Sequence, residues 1–382
     1  MQEPIQKENH SAGAGSARTN GGPPDFRQFI SALDLGQHLL RVEKPMDWRD
    51  EIGRVSSRSD RPMLFESIKD YPGWNLFTGG LSRPVFFALA LGLEPGISRS
   101  GLVSAMRHRL TQPCPTVPGQ SGPLTEIVRE GKEVNLNDLP VPRWNPIDAG
   151  RYVGTWHVNI TKDPDTGSRN LGIYRMQILS ENQATVSVSP HSHLAAHMAK
   201  AENSQRSLDM AVAIGIPEPI IIAGAAGLPL GTDELAVAGG LMTRPVEVIK
   251  CRTVDLEVPA DSELVLEGKI RPSVRVKDGP YMDYAGIPSV NPRAYLFEVT
   301  GIMRRQRPIF RGMAVGRPGA EDHQLFALLS QLGLVDFHGS RIRHAMQNAL
   351  LRRRLFRLFQ WTGRFGRLKK RLTGKRGDAL CE

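Results

Sequence analysis

TWHVNITKDPDTGSRNLGIYRMQIL, residues 155–179, contains two runs that read as strands, TWHVNIT and LGIYRMQIL, on either side of a segment rich in Asp, Pro, Gly and Ser. β-Branched and aromatic side chains fill the runs and turn formers fill the gap. The pattern continues outward. Between about residues 154 and 311 the chain offers TVSVSP, MAVAIG, IIIAGAA, VEVIKC, ELVLEG and YLFEVTGIM as further strands, many of them bounded by Gly, Pro or Asp. Two helical segments, HLAAHMAKAENS and DELAVAGGLMT, interrupt them. The fold class this predicts is α+β, with a large, twisted and closed sheet and a ligand site at its mouth.

Upstream, DFRQFISALDLGQHLLRVEKP has Phe26, Phe29, Ile30 and Leu33 at helical spacing, followed by a short strand. RPMLFESIKDYPGWNLFTGG reads as strand, turn and strand, and FFALALGL as part of a helix. Pro140, Pro142 and Pro146 stop regular structure and mark a lobe boundary. The expected organisation is a disordered leader (1–24), a small N-terminal α/β lobe (25–145), a β-rich central domain (146–325) and a basic helical tail (326–382).

The net charge of +10 is unevenly placed: from Arg341 onward there are 13 Lys/Arg and two acids, while the preceding 340 residues hold 36 bases and 37 acids. The body is therefore neutral, and a nucleic-acid-binding reading rests on the tail alone. Leu351, Leu355, Leu358, Phe365, Leu368 and Leu372 fall near one stripe of that tail. A helix of this kind docks on its own protein, on a partner or on an anionic membrane surface. The three cysteines, Cys114, Cys251 and Cys381, lie far apart, and no apolar run reaches membrane-spanning length. Together these predict a cytoplasmic protein without a cysteine-built zinc site.

No GxxxxGK[ST] loop, GxSxG elbow or HExxH helix is present, which argues against the common nucleotide, serine-hydrolase and zinc-protease sites. What remains is a set of polar groups among the strands. Asn170 and Arg175 share one run, five residues apart, which puts them on opposite faces of a strand unless Gly172 marks a bulge, and an arginine between Tyr174 and Met176 must reach solvent or meet an acid. His191, His193 and His197 surround a helix start, and Glu234 opens another helix. Asn, His and Glu donors suit Mn²⁺ or Mg²⁺ better than soft metals. In VKDGPYMDYAG, residues 276–286, two acids, Asp278 and Asp283, flank a Gly-Pro-Tyr turn.

Taken in order, NLGIYRMQ, the following histidine, DELAVAGG, VPADSELVLEG, DGPYMDYAG and GRPGAED resemble the motifs of the UbiD family of prenylated-FMN-dependent decarboxylases. The likeness covers roughly residues 25–325 and includes VNLNDLPVPRWNP and LALGLEPG nearer the start. It implies a split-barrel-like flavin-binding domain and non-oxidative, reversible decarboxylation of an aromatic or α,β-unsaturated acid. It further implies prenylated FMN supplied by a flavin prenyltransferase, a Mn²⁺ that grips its phosphate, an accompanying K⁺, and a homo-oligomer.

Residue by residue, the resemblance assigns the metal to Asn170, His191 and Glu234, with His193 as the alternative histidine, and the cofactor to these residues with Ile173 and Arg175. The catalytic trio falls on Arg175, Asp278 and Asp283: Asp278 pairs with the arginine, and Asp283 returns a proton to the carbon that loses CO₂. Family members continue past GRPGAED into a C-terminal lobe that is expected to be absent here. The alternative reading is accordingly a catalytically impaired cofactor-binding or interaction protein.

Overall fold

The computed structural model describes residues 23–335, apart from 285 and 317–320. The expectations of a disordered leader and of a basic helix beyond residue 335 lie outside the described residues.

The N-terminal helix, Phe26–Leu35, starts where Asp25 accepts the Gln28 N–H at 2.8 Å and Gln28 returns a bond to the Asp25 amide, a reciprocal capping box. Its four predicted apolar residues are all buried. Strands Leu40–Val42, Met63–Phe65 and Asn75–Thr78 follow, and Ile309–Arg311, from far downstream, pairs in parallel with Asn75–Thr78 to complete a four-stranded sheet. The chain thus returns to its first sheet after building the second.

The second sheet has seven strands. Across it run Gln183–Val186, Pro288–Arg304, Leu264–Met282, Leu208–Ile214, His157–Lys162 and Arg169–Gly172, every neighbour antiparallel, with Ile127–Glu130 added beside Pro288–Arg304. This is a β-rich half-barrel beside a small N-terminal lobe: the α+β class holds, but the sheet expected to close stays open among the described residues, with Gln183–Val186 and Arg169–Gly172 at its two ends. The helices His193–Asn203, Glu218–Ala225 and Glu234–Met242 cover one end of it.

Two local readings change. IIIAGAA is not a strand but most of the helix Glu218–Ala225, in which Ile220, Ile221 and Ile222 are all buried. A short run that is apolar on every side carries no period, and Pro219 in the first turn pre-sets helical φ. DGPYM, expected in a turn, instead ends the long strand Leu264–Met282, and the chain reverses after it. Gly279 sits there at φ +98°, where a Cβ would lie 2.6 Å from the Ser289 carbonyl oxygen, so a side chain is excluded on both counts.

Between the two lobes lies a buried charge cluster. Arg311, 1% exposed, donates to Glu218 at 3.0 Å and to Glu321, while the Trp156 indole N–H donates to Glu218 at 2.9 Å. Burial pushes the Glu218 carboxyl up, against the pull of Arg311. Among the described residues no helix is long and apolar enough to cross a membrane.

Candidate active site

Gly172 ends its strand rather than bulging it. The chain leaves the large sheet there, and Met176–Gln177 pairs instead with Tyr152–Gly154. The three residues between carry no strand pairing, and the Tyr174 N–H is taken by the Asn159 side chain at 3.1 Å. This break frees Ile173, Tyr174 and Arg175 to line a cavity of about 650 Å³.

Arg175 meets an acid. Its Nε and Nη2 each lie 2.6 Å from Asp278 Oδ1, and its Nη1 donates to Ser289 Oγ at 2.5 Å. The second carboxylate oxygen of Asp278 accepts the Thr185 hydroxyl at 2.6 Å. Asp278 is fully buried, whereas the Arg175 side chain keeps 17% exposure toward the cavity. Register shifts on both sides of Asp278 in the pairing of the two long strands turn its side chain toward Arg175. The guanidinium carbon lies over the Tyr281 ring, 5.1 Å from its centroid, with N–H groups left for an anion.

Asp283 lines the same cavity, half-buried at the hairpin end, and its carboxylate accepts the Ile287 N–H at 3.1 Å. Asp148 holds this end in place by accepting the Met282 N–H at 2.9 Å, and burial pushes its carboxyl up to about 6. Gly316, at φ +93°, passes beneath Met282, whose Cγ stands 2.4 Å from where a Cβ would be. Met282, the residue before Asp283, is accommodated by that glycine.

At the other end of the cavity Asn170 Oδ1 lies 2.8 Å from His193 Nδ1, and Glu234 Oε1 lies 3.9 Å from the same nitrogen. Glu234 is 2% exposed, its other oxygen accepts the Leu171 N–H at 2.9 Å, and burial raises its carboxyl to about 7. His193, the first residue of its helix, is therefore the histidine brought to Asn170 and Glu234. His191 is exposed at the cavity rim, because the Ser192 cap turns the chain between them. His197 faces the other way and bonds Thr161 at 2.9 Å. Among the described residues no three His, Cys, Asp or Glu side chains are grouped to hold a metal. The convergent donor set is one amide oxygen, one imidazole and one carboxylate. A buried carboxylate that would ionise readily beside a cation suits a hard divalent ion there.

Thr185, Ser289, Tyr281 and Asp148 were not singled out from the sequence. Only Tyr281, the ring between the two acids, carried a sequence signal.

Residues 116–318 match the 3-octaprenyl-4-hydroxybenzoate carboxy-lyase Rift-related domain, and residues 30–106 match the corresponding N-terminal domain. An uncharacterized protein of Aquifex aeolicus is 32% identical over 329 residues, covering 79% of this chain and 66% of that protein. The chain spans 65–66% of the length of the curated relatives it matches. Among solved structures, an evolved dimeric form of the UbiD-class enzyme HmfF from Pelotomaculum thermopropionicum, in complex with prFMN, is similar. It has a TM-score of 0.74 and 31% identity, over 81% of this chain and 71% of that one. The closed form of the vanillic acid decarboxylase of Sedimentibacter hydroxybenzoicus has a TM-score of 0.76 and 28% identity, over 80% and 67%.

Proposed function

The chain belongs to the UbiD family of 3-octaprenyl-4-hydroxybenzoate carboxy-lyases, and from that premise we propose that it is a carboxy-lyase. Its substrate is an aromatic or α,β-unsaturated carboxylic acid, from which it removes CO₂ non-oxidatively and reversibly. The observation that carries this reading is the buried Asp278 carboxylate locking Arg175 so that its remaining N–H groups face a cavity of about 650 Å³, a volume suited to a cofactor and a small acid together.

Arg175 binds the substrate carboxylate through charge-assisted bonds, and Asp278 with Ser289 fixes the guanidinium plane so that the bond to CO₂ is presented in one orientation. Thr185 keeps Asp278 from turning away. Asp283, at the cavity wall, gives one proton to the carbon that has lost CO₂ and regains it from solvent before the next turnover. The substrate carboxylate thus leaves as CO₂ and a C–H bond replaces the broken C–C bond.

Asn170, His193 and Glu234 would hold Mn²⁺, with K⁺ as a further cation, and Ile173 would border prenylated FMN. When bound, that flavin would supply the electron sink for the breaking bond. HmfF, 31% identical, is described with prFMN, which supports the same cofactor here, delivered by a flavin prenyltransferase. The dimeric form of HmfF supports a homo-oligomer.

The test is to co-express the chain with a flavin prenyltransferase, supply Mn²⁺, and record the absorbance spectrum, native mass and CO₂ release from benzoic and acrylic acids. A prenylated flavin and CO₂ release are expected. A folded protein that binds neither flavin nor acid would sink the proposal.

A further inference from the structure

The helix Glu321–Gln331 presents two adjacent acids in its first turn, and they have opposite fates. Glu321 is fully engaged: its oxygens accept the Gly79 N–H at 2.9 Å, the Leu81 N–H at 2.7 Å and the Arg311 guanidinium. Asp322 is equally buried, at 4% exposure, yet only its Oδ1 is used, by the His323 N–H at 2.9 Å. Its Oδ2 has no partner and is, with His157 Nδ1, one of two such buried side-chain atoms among the described residues. Asp322 also lines the cavity that holds Arg175 and Asp283.

An acceptor stripped of water and given no donor is costly, and the network that anchors Glu321 fixes the helix so that Asp322 cannot withdraw. His323 pulls on the carboxyl through space and the Tyr281 phenol lies on the same cavity, yet neither bonds Oδ2; Leu325, Phe326, Met313 and Val315 beside it are apolar, and Phe326 packs edge-on against Tyr284 at 5.8 Å. A flat ring fits between such surfaces. A donor carried on that ring would satisfy the bare oxygen.

We propose that Asp322 is a specificity-determining residue that accepts a hydrogen bond from a ring substituent of the substrate. The favoured class is then an aromatic acid carrying a neutral donor, a hydroxyl or an amino group, in addition to the carboxylate held by Arg175. The same group disfavours a second carboxylate by like-charge repulsion in a dry site. Burial raises the Asp322 carboxyl to about 6, so it is ionised, and repels a second anion, at pH 8. The inference rests on the reading of this cavity as the substrate site.

The experiment is calorimetric binding of benzoate, the three monohydroxybenzoates, 4-aminobenzoate and terephthalate to the flavin-loaded full chain at pH 8. Wild type, Asp322→Asn and Asp322→Leu are compared, with melting curves confirming that each is folded. In the wild type at least one hydroxy- or aminobenzoate binds about tenfold or more tighter than benzoate, and terephthalate binds weakest. Asp322→Leu erases the advantage of the donor, and Asp322→Asn improves terephthalate. An unchanged ranking in Asp322→Leu overturns this inference alone. Failure of every acid to bind a folded, flavin-loaded wild type overturns the substrate-site reading and this inference with it.

Discussion

Arg175 and Asp278 are 103 residues apart in the chain and meet at 2.6 Å, with the Thr185 hydroxyl closing the far side of the carboxylate. A full charge is held below the surface here because every lone pair that matters is matched. The arrangement makes the site rigid at the point where a substrate carboxylate would bind.

Removing one partner exposes that dependence. Asp278→Asn should lower unfolding free energy by about 3 kcal/mol, the low end for breaking a buried pair, since the Arg175 side chain is 17% exposed. Thr185→Val should cost about 1–2 kcal/mol by leaving Asp278 Oδ2 without its donor. Urea denaturation of the single and double variants measures both, and the double variant should cost less than the sum because the two share one carboxylate.

Asp283 is half-buried at the hairpin turn, where its carboxylate accepts the Ile287 N–H, and so lies nearer solvent than the fully buried Asp278. Asp283→Asn should therefore retain the flavin spectrum and the melting temperature within a few degrees, while CO₂ release falls by about a hundredfold or more. Turnover near the wild-type rate would remove it from the proton-donor role.

The two histidines separate cleanly. His193→Ala and Glu234→Gln should each abolish Mn²⁺ retention after gel filtration, because each removes a donor from the convergent set with Asn170. His191→Ala, at the exposed rim, should keep its manganese. Metal analysis of the three purified variants decides the assignment.

Asp148 makes stability depend on pH with a definite sign. Its carboxyl is raised from an ordinary 3.8 to about 6 in the folded protein, so the native state binds the proton more tightly than the unfolded chain. That contribution is present below about pH 4 and is lost as pH rises through 6, an effect of about 3 kcal/mol. The difference in stability between wild type and Asp148→Asn should therefore shift against the wild type between pH 4 and 7. Denaturation at a series of pH values reads it directly, and a flat difference would show that Asp148 does not titrate there.

Much of this molecule is set by near neighbours in the chain. Asp25 and Gln28 cap the first helix, Ser192 caps the helix of His193, β-branched runs bounded by turn formers mark many strands, and the order of motifs points to Asn170, Arg175, Glu234, Asp278 and Asp283. These are short-range effects, so a sequence carries them. IIIAGAA escaped because an all-apolar run has no face to betray its period, and DGPYM because the strand pairing with Ser289–Asn291 overrides its turn residues.

Only the tertiary structure decided which histidine meets Asn170 and Glu234, that Thr185 and Ser289 complete the Arg175–Asp278 pair, and that Asp322 keeps a bare oxygen in the cavity while Glu321 does not. Each of these depends on strand register, on where a strand stops, and on which polar atoms are left unmatched once water is excluded. Those quantities arise between segments scores of residues apart and are written in no single stretch of the chain.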